Sequence, residues 1–310
     1  MRVLVTGGAG FLGTHLCEGL LEKGIEVRAV DNLDSGRKEN LEVLRQGVEF
    51  YHGSTDDESL LKKAARGVDA VIHTAFPMVL RRQGTLNPAA AAEAIRSLLK
   101  VARACLAENA LLVYLSSIAV YGNQQYTPID EAHPTRPVTL YGATKLAEEI
   151  YCRMLSDTQG LKMTILRVSD IYGPRNSRVS LPIHFLLQVL KGQPLVVHGD
   201  GSQSRTYTYV SDLVKAVLLA LERNKAVGEI FNISGDRCIS VRELAAQVIR
   251  VTGSGVGILV DPGAETDTRR LWIDNRKARE VLGFRPEVNL EEGLRRTYDW
   301  LRRNPDYYGS

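Results

Sequence analysis

Tyr141 and Lys145 stand four positions apart in a segment of helical pattern, which places the phenol and the ammonium on one helix face. A phenol is a poor base at its ordinary pKa of about 10, and a fixed ammonium beside it would favour the phenolate. The pair is therefore typical of general-base removal of a hydroxyl proton. An exposed helix pair is the alternative. Ser116 and Ser117 favour catalysis, because they end a buried strand just upstream.

A second group of residues has the spacing of a phosphate-binding turn. Gly7, Gly10 and Gly13 follow the first predicted strand and run into a helix. They allow a tight turn, close approach of a pyrophosphate, and close packing of the helix, whose N-terminus faces the phosphates. An ordinary strand–helix turn is the alternative. Asp31, at the end of the second strand, completes the order required of a dinucleotide site.

Asp31 also indicates which dinucleotide binds. A carboxylate at this point accepts hydrogen bonds from both ribose hydroxyls of NAD and would repel the 2′-phosphate of NADP. The sequence therefore predicts NAD. Arg37 lies nearby and could weaken this preference, although a solvated loop arginine is its alternative role.

These residues need a parallel sheet to bring them together. Apolar runs alternate with helical segments in the first half, which predicts a parallel sheet covered on both faces. The predicted strands are 2–5, 25–30, 48–51, 70–73, 111–116 and 163–168, and the predicted helices are 11–23, 89–107 and 141–158. The expected fold class is α/β, a Rossmann-type doubly wound sheet.

The alternation loosens past residue 171. The second half predicts a helix at 182–191, a strand at 195–197, a glycine-flanked loop, a helix at 211–224, a strand at 230–233 and two short final helices. We therefore expect a cofactor domain at 1–170 and a smaller, interleaved α/β substrate-binding lobe at 171–310. Parts near 205–235 are expected to pack back on the first domain.

Composition and charge argue against several other classes of protein. The 310 residues include 39 Lys and Arg against 36 Asp and Glu, and this net charge of +3 provides no footprint for nucleic acid. No run of 18 apolar residues occurs, so no membrane partner is expected. Widely spaced cysteines and scattered histidines predict reduced thiols, no metal site and a cytoplasmic location.

Several motifs together resemble the extended short-chain dehydrogenase/reductase superfamily: residues 6–13, 31–32, 116–122, 141–145 and 166–175. Within it they are similar to the NAD-dependent nucleotide-sugar epimerase/dehydratase branch. Residues 199–212 and 274–283 resemble that branch's second-lobe signatures. The resemblance implies a nucleotide-sugar substrate, with a UDP-sugar favoured, and a homodimer formed through the helices at 89–107 and 141–158.

The resemblance also implies roles for individual residues. The catalytic set is Ser117, Tyr141 and Lys145. The cofactor set is Gly7, Gly10, Phe11, Leu12, Gly13, Asp31, Asn32, Thr74, Ala75, Ser116, Tyr141 and Lys145. The substrate set is Phe76, Ser117, Asp170, Arg205, Asp267 and Arg269. Arg205 would grip the diphosphate bidentately, with a surface ion pair as its alternative. For Asp267 and Arg269 the alternative is a solvated charge cluster.

The residues beside Ser117 distinguish reactions within the branch. The 4,6-dehydratases have Thr-Asp-Glu here and the decarboxylases a glutamate, whereas this chain has Ser117-Ile118-Ala119 and so resembles the 4-epimerases. The resemblance implies that Tyr141 takes the C4 hydroxyl proton while hydride passes to NAD, and that hydride returns to the other face of the turned ketosugar. Ser117 would bond the sugar oxygen, and Lys145 would hold the nicotinamide ribose.

Several positions depart from the branch. The chain has a bulky Phe76 where a small residue is usual, Ala91 and Asp170 where an asparagine is usual, Ser54 in place of an acid, and Ala264 in place of an arginine. Two alternatives therefore stay open: a reductase of ketosugars or other carbonyls with the same catalytic set, and a dinucleotide-binding sensor without turnover.

Overall fold

The computed structural model describes residues 1–37, 40, 42, 47–81, 86–176, 180–263 and 270–308. Its strands are β1 (Arg2–Thr6), β2 (Glu26–Asp31), β3 (Val48–His52), β4 (Ala70–His73), β5 (Leu111–Ser117), β6 (Met163–Val168), β7 (Asp170–Tyr172), β8 (Leu195–His198), β9 (Ser204–Tyr209), β10 (Ile230–Ile233), β11 (Cys238–Ser240), β12 (Ile258–Asp261) and β13 (Arg270–Leu271). Its α-helices are α1 (Phe11–Glu22), α2 (Glu58–Ala65), α3 (Pro88–Glu108), α4 (Leu140–Gln159), α5 (Leu181–Leu190), α6 (Val210–Glu222), α7 (Val241–Thr252) and α8 (Leu290–Arg303).

Seven strands form one parallel sheet in the order β10-β6-β5-β4-β1-β2-β3, which confirms the predicted doubly wound fold. The strands are apolar on both faces because helices cover both. Val3 packs in a core with α1 and α6, whereas Leu4 packs in a second core with α2, α3 and α4. Since the strands are parallel, their carboxyl ends share one edge, where ligands bind in such sheets.

The strands and helices predicted for the first half are all present, with ends that differ by at most one residue. The structure adds α2, which the sequence prediction missed. Asp57 caps this helix by accepting hydrogen bonds from the amides of Ser59 at 2.9 Å and Leu60 at 3.1 Å. The helix has only eight residues, and its apolar face, formed by Leu61, Ala64 and Ala65, spans little more than one turn, so the periodic pattern is short.

Part of the second half returns to the main sheet. β10 pairs in parallel with β6, and α6 packs in the same core as α1. The remaining strands form two small sheets, β11-β9-β13 with β7 beside β9, and β12-β8. The division of the chain near residue 170 stays a prediction.

Arg205 lies on a strand and not in the predicted glycine-flanked loop. It belongs to β9, which pairs with β7, β11 and β13. Thr206 and Thr208 of this strand are buried, and threonine and tyrosine favour pleated, half-buried positions. The prediction was wrong because the glycines precede the strand and do not extend through it.

Within the described residues, no helix is both long and apolar enough to cross a membrane. The same residues contain no group of side chains suited to bind a metal ion. Cys17, Cys105, Cys152 and Cys238 are unpaired thiols, and the first three are buried.

Candidate active site

The glycine turn between β1 and α1 has no room for side chains at Gly7 and Gly13. Gly7 has a φ of +71°, and a Cβ on Gly13 would lie 2.0 Å from the Gly7 carbonyl oxygen. Gly10 is the N-cap residue of α1 and has no side chain to bond the first amides of the helix. The turn thus offers backbone amides and a helix N-terminus at the carboxyl edge of the sheet, an arrangement that fits a dinucleotide pyrophosphate.

The Asp31 carboxylate is fixed beside this turn. Its Oδ2 accepts from the amide of Ala9 at 2.9 Å and its Oδ1 from the amide of Leu33 at 2.7 Å. Burial raises the pKa of Asp31, and these amides oppose the rise. Asn32 is exposed and donates to Asp34. Both oxygens of Asp31 are thereby oriented and keep lone pairs for further donors.

Arg37 is turned toward the C-terminal segment. Its guanidinium donates to the carbonyl of Tyr307 and lies 4.2 Å from the centre of the Tyr307 ring. Its side chain is therefore held by the C-terminal segment, as a structural arginine of this loop.

The residues after β4 lie directly against the glycine turn. Thr74 donates to the carbonyl of Thr6 at 2.7 Å, and a Cβ on Gly7 would come within 2.9 Å of the Ala75 amide. Phe76 follows, and its ring stands edge-on to Tyr141 with 5.4 Å between the ring centres. The chain after β4 thus connects the predicted cofactor turn to the predicted base.

Two residues that the sequence analysis singled out, Phe76 and Ala91, meet at this point. Both pack on a small apolar cluster formed by Leu80, Ala90 and Ala94. The sequence analysis expected a small residue at position 76 and an asparagine at position 91. Phe76 is therefore both a packing residue and a neighbour of Tyr141.

Tyr141 and Lys145 lie at the start of α4, as predicted. Thr139 caps this helix by accepting from the amide of Gly142 at 3.1 Å. Tyr141 is half-buried, and the guanidinium carbon of Arg81 lies 5.0 Å from its ring centre. Lys145 is 3% exposed and donates to the hydroxyl of Tyr114 and the carbonyl of Leu115, both at 3.1 Å.

The two serines at the end of β5 have different environments. Ser117 is half-buried, and its hydroxyl accepts from the amide of Ala119 at 3.2 Å. Ser116 is buried and donates to Glu149 at 2.5 Å. Ser117 is thus the more accessible hydroxyl, and Ser116 is tied to the interior.

A buried polar network, which the sequence prediction missed, lies beneath these residues. Glu149 accepts from Arg167 at 2.7 Å and from Ser116, while Glu148 accepts from Tyr114 at 2.5 Å and lies 3.4 Å from the ammonium of Lys145. The available signal was the acidic pair that follows Lys145 by three and four positions on the same helix.

His73 borders this network from β4. Its Nδ1 shares a hydrogen bond of 2.8 Å with the hydroxyl of Thr6, and its buried Nε2 has no partner in the part of the chain that the structure describes. Burial, with a smaller contribution from the charge of Lys145, lowers the pKa of His73 to about 3. The imidazole is therefore neutral at ordinary pH.

Two predicted substrate residues meet across neighbouring strands. β7 and β9 pair with Asp170 opposite Tyr207, which brings the Asp170 carboxylate to 4.0 Å from the Nε of Arg205. The side chains are 44% and 17% exposed respectively, so the pair faces solvent on one side. Asp267, Arg269 and Ala264 lie outside the described residues.

The remaining predicted positions have structural contacts. Phe11 and Leu12, in the first turn of α1, pack against the apolar core of the second lobe. Ser54 accepts from the amide of Asp56 at 3.1 Å, and Asp56 pairs with Arg96 at 2.6 Å. The acids near Ser54 therefore serve local structure, since Asp57 caps α2.

Comparison with known proteins identifies the family. Residues 3–234 match the NAD dependent epimerase/dehydratase family, so the chain belongs to it. This confirms the resemblance to extended short-chain dehydrogenases/reductases. The predicted cofactor, NAD, is confirmed as well, because the family depends on it.

Individual relatives align with nearly the whole length of this chain. The chain is 33% identical to a putative UDP-glucose 4-epimerase of Methanocaldococcus jannaschii, over 97% of this chain and 99% of that protein. A UDP-glucose 4-epimerase of Thermotoga maritima, solved with UDP-glucose, is similar at a TM-score of 0.87 and 31% identity, covering 98% of this chain and 100% of that one. A UDP-glucuronic acid 4-epimerase of Bacillus cereus, solved with UDP-glucuronic acid and NAD, has a TM-score of 0.89 at 26% identity, covering 98% and 100%. Other relatives are decarboxylases and dehydratases. The chain is thus an enzyme of this family, related to UDP-sugar 4-epimerases among others.

Proposed function

We propose that this enzyme is an NAD-dependent 4-epimerase of nucleotide sugars, with a UDP-hexose as substrate. The observation that carries the proposal is the set of residue types at the end of β5. Ser117, Ile118 and Ala119 supply a hydroxyl and two aliphatic side chains. The resemblance to the family implies an acid at this place in the dehydratases and decarboxylases. The Ala119 amide is bonded to the Ser117 hydroxyl, which sets the local turn. Elimination of water needs an acid that this position lacks.

The chain's own residues then have distinct tasks. Tyr141 takes the proton of the C4 hydroxyl, and the buried charge of Lys145 favours its phenolate form. Ser117 hydrogen-bonds the sugar oxygen and orients it. Phe76 closes one side of the Tyr141 ring, which limits access of water. NAD, when bound, supplies the acceptor and donor of hydride.

Cofactor binding is assigned to the residues that line the sheet edge near the glycine turn. Gly7, Gly10 and Gly13 would hold the pyrophosphate, Asp31 would accept from the ribose hydroxyls, and Lys145 would bond the nicotinamide ribose. Further contacts to the cofactor are proposed for Phe11, Leu12, Asn32, Thr74, Ala75 and Ser116. The engagement of Arg37 by Tyr307 supports selection of NAD, because a free arginine there would attract a 2′-phosphate.

The pH dependence of NAD binding tests the role of Asp31. Only the ionised carboxylate accepts from both ribose hydroxyls, and its pKa is raised by burial. We expect NAD affinity to fall about 10-fold or more on acidification, beginning at a higher pH than for an exposed aspartate. Calorimetric titration across pH measures this. Asp31→Asn should bind NAD weakly with a flat pH profile. An equally steep profile in that variant would contradict the assignment.

Substitutions of Asp170 and of Arg205 are expected to change KM in opposite directions. The carboxylate of Asp170 competes with a diphosphate for the guanidinium and repels it. Asp170→Asn should therefore lower KM for a UDP-sugar about 3-fold, since an exposed pair is worth less than about 1 kcal/mol. Arg205→Lys should raise KM, because an ammonium cannot grip two phosphate oxygens in one plane. A higher KM in Asp170→Asn would instead mean that Asp170 holds the sugar.

We propose a homodimer formed through α4. Ile150, Tyr151 and Met154 are 58%, 37% and 41% exposed, and with Ala143 and Ala147 they form an apolar stripe on the helix. Ile150→Glu combined with Met154→Glu should halve the mass measured by light scattering. Leu259→Glu, at an equally exposed position on β12, should leave it unchanged. A wild-type protein with the mass of one chain would contradict the dimer.

We also propose a cellular location and a domain organisation. The unpaired thiols support a cytoplasmic enzyme. The return of β10 to the main sheet supports a cofactor domain at 1–170 interleaved with the second lobe at 171–310.

A panel of UDP-, GDP-, CDP- and dTDP-sugars tests the proposed reaction. Products are analysed for inversion at C4, with Tyr141→Phe as the inactive control. We expect inversion of a UDP-hexose without consumption of NADH. Release of carbon dioxide, loss of water, reduction of a ketosugar by NADH, or NAD binding with no turnover would each identify a different function.

A further inference from the structure

Lys145 is buried deeply enough to need a counter-ion. Its ammonium donates to two neutral acceptors, the Tyr114 hydroxyl and the Leu115 carbonyl, and lies 4.2 Å from the centre of the Phe76 ring. Neutral contacts of this kind do not offset the cost of removing a full charge from water. The carboxylate that faces the ammonium is that of Glu148, with Oε2 at 3.4 Å.

Glu148 is itself fully buried, at 0% exposure. Its Oε2 accepts from the Tyr114 hydroxyl, which in turn accepts from Lys145, so the three groups form a closed triangle. Its Oε1 has no hydrogen-bond partner among the described residues. A buried ion pair adds little stability compared with apolar residues of the same volume, and this one has an unsatisfied oxygen as well. Stability alone therefore does not account for Glu148.

The position of Glu148 relates it to the predicted base. Tyr141, Lys145 and Glu148 follow one another at four and three residues along α4, which places them on one stripe of the helix. With a rise of about 1.5 Å per residue, Glu148 is about two turns from Tyr141 and Lys145 about one. The Phe76 ring connects the two groups, since its centre lies 4.2 Å from the ammonium and 5.4 Å from the centre of the Tyr141 ring.

We propose that Glu148 is a positioning residue that holds Lys145 as a charged ammonium beneath Tyr141, so that the phenol can work as a base near neutral pH. The proposal rests on the proposed role of Tyr141. Without Glu148, the ammonium would be buried with neutral partners alone, an environment that disfavours a full charge, and the phenolate would lose the charge that stabilises it.

The other titratable and charged groups near the Tyr141–Lys145–Glu148 stripe of α4 do not account for a change of charge near neutral pH. Burial keeps His73 neutral, and raises the pKa of Tyr114 and of the thiols of Cys105 and Cys152. Glu149 is paired with Arg167. Arg81 faces the Tyr141 ring from the 3₁₀ turn Met78–Arg81 and is a permanent cation. These groups come from β4, β5, α3, α4, β6 and the turn.

The test is Glu148→Gln, with ionisation of Tyr141 as the direct readout. Phenolate absorbance is titrated in the cofactor-free protein, and the matching Tyr141→Phe protein is subtracted to isolate this one tyrosine. We expect the midpoint to move to higher pH by about one unit or more, equivalent to about a 10-fold loss of phenolate at fixed pH. The acidic limb of the kcat profile should move in the same direction. Glu148→Asp should restore part of the shift.

Glu149→Gln is the matched control, because it removes the adjacent buried carboxylate, which pairs with Arg167. It should leave the Tyr141 midpoint unchanged. An unchanged or lower midpoint in Glu148→Gln, or an equal shift in Glu149→Gln, would overturn the proposal. The titration needs no sugar, so a failure to invert C4 contradicts the proposed function without deciding this point.

If Glu148→Gln does not fold, combining it with Lys145→Met removes both charges and should restore folding. Failure of the double variant as well would contradict the pairing. Recovery would support it, because only a partner of Lys145 is rescued by removing that lysine.

Discussion

Tyr141→Phe is expected to lower turnover of a nucleotide sugar by about 10²–10⁴-fold while NAD affinity stays unchanged, since this is the usual contribution of a general base. The substitution removes only the hydroxyl. The ring keeps its edge contact with Phe76 and its place beneath Arg81, so the surrounding packing is conserved. Single-turnover rates and a calorimetric NAD titration measure the two quantities separately.

Tyr151→Phe provides the matched control, because it makes the same chemical change on an exposed tyrosine of the same helix. It should leave the rate unchanged. Retention of most activity in Tyr141→Phe would assign the base to another group. A parallel loss of NAD affinity would mean that the hydroxyl serves cofactor binding more than proton transfer.

Arg167→Met is expected to cost about 3–5 kcal/mol in the free energy of unfolding, because it leaves the carboxylate of Glu149 buried without a cation. Arg167 meets Glu149 through Nε at 3.0 Å and the terminal nitrogen at 2.7 Å, and both residues are at most 5% exposed. Urea denaturation followed by circular dichroism measures the loss.

The double variant Arg167→Met with Glu149→Leu separates pairing from packing. Since both charges are removed, its stability should return to within about 1 kcal/mol of the wild type. A double variant as unstable as Arg167→Met would show that the shape of the site, and not the unpaired charge, sets the cost.

The cofactor half of the site was predictable because its signals are local. The glycine turn, Asp31 and the start of α4 each lie within one strand–helix connection, and apolar strands such as β6, buried along its full length, are distinct in the sequence. The rules of parallel sheets then limit the possible orders of the strands. Prediction succeeded where neighbouring residues determine structure.

The interior of the site was not predictable in the same way. Glu148 follows Lys145 closely, but its burial depends on Tyr114, which β5 brings from 31 positions before the lysine. The contact between Asp170 and Arg205 likewise depends on the pairing of β7 with β9. From the sequence alone, Arg205 could be either a diphosphate ligand or a member of a surface ion pair. The two could not be distinguished because the burial of its side chain depends on elements that are distant in the sequence.

The most direct test of the proposed 4-epimerase uses UDP-glucose carrying deuterium at C4, incubated with the protein in ordinary water. Inversion through transient oxidation at C4 predicts UDP-galactose that retains the deuterium at C4, because the hydrogen removed returns to the same carbon. Deuterium at C6, loss of the label to water, or the absence of any inverted product would contradict the account.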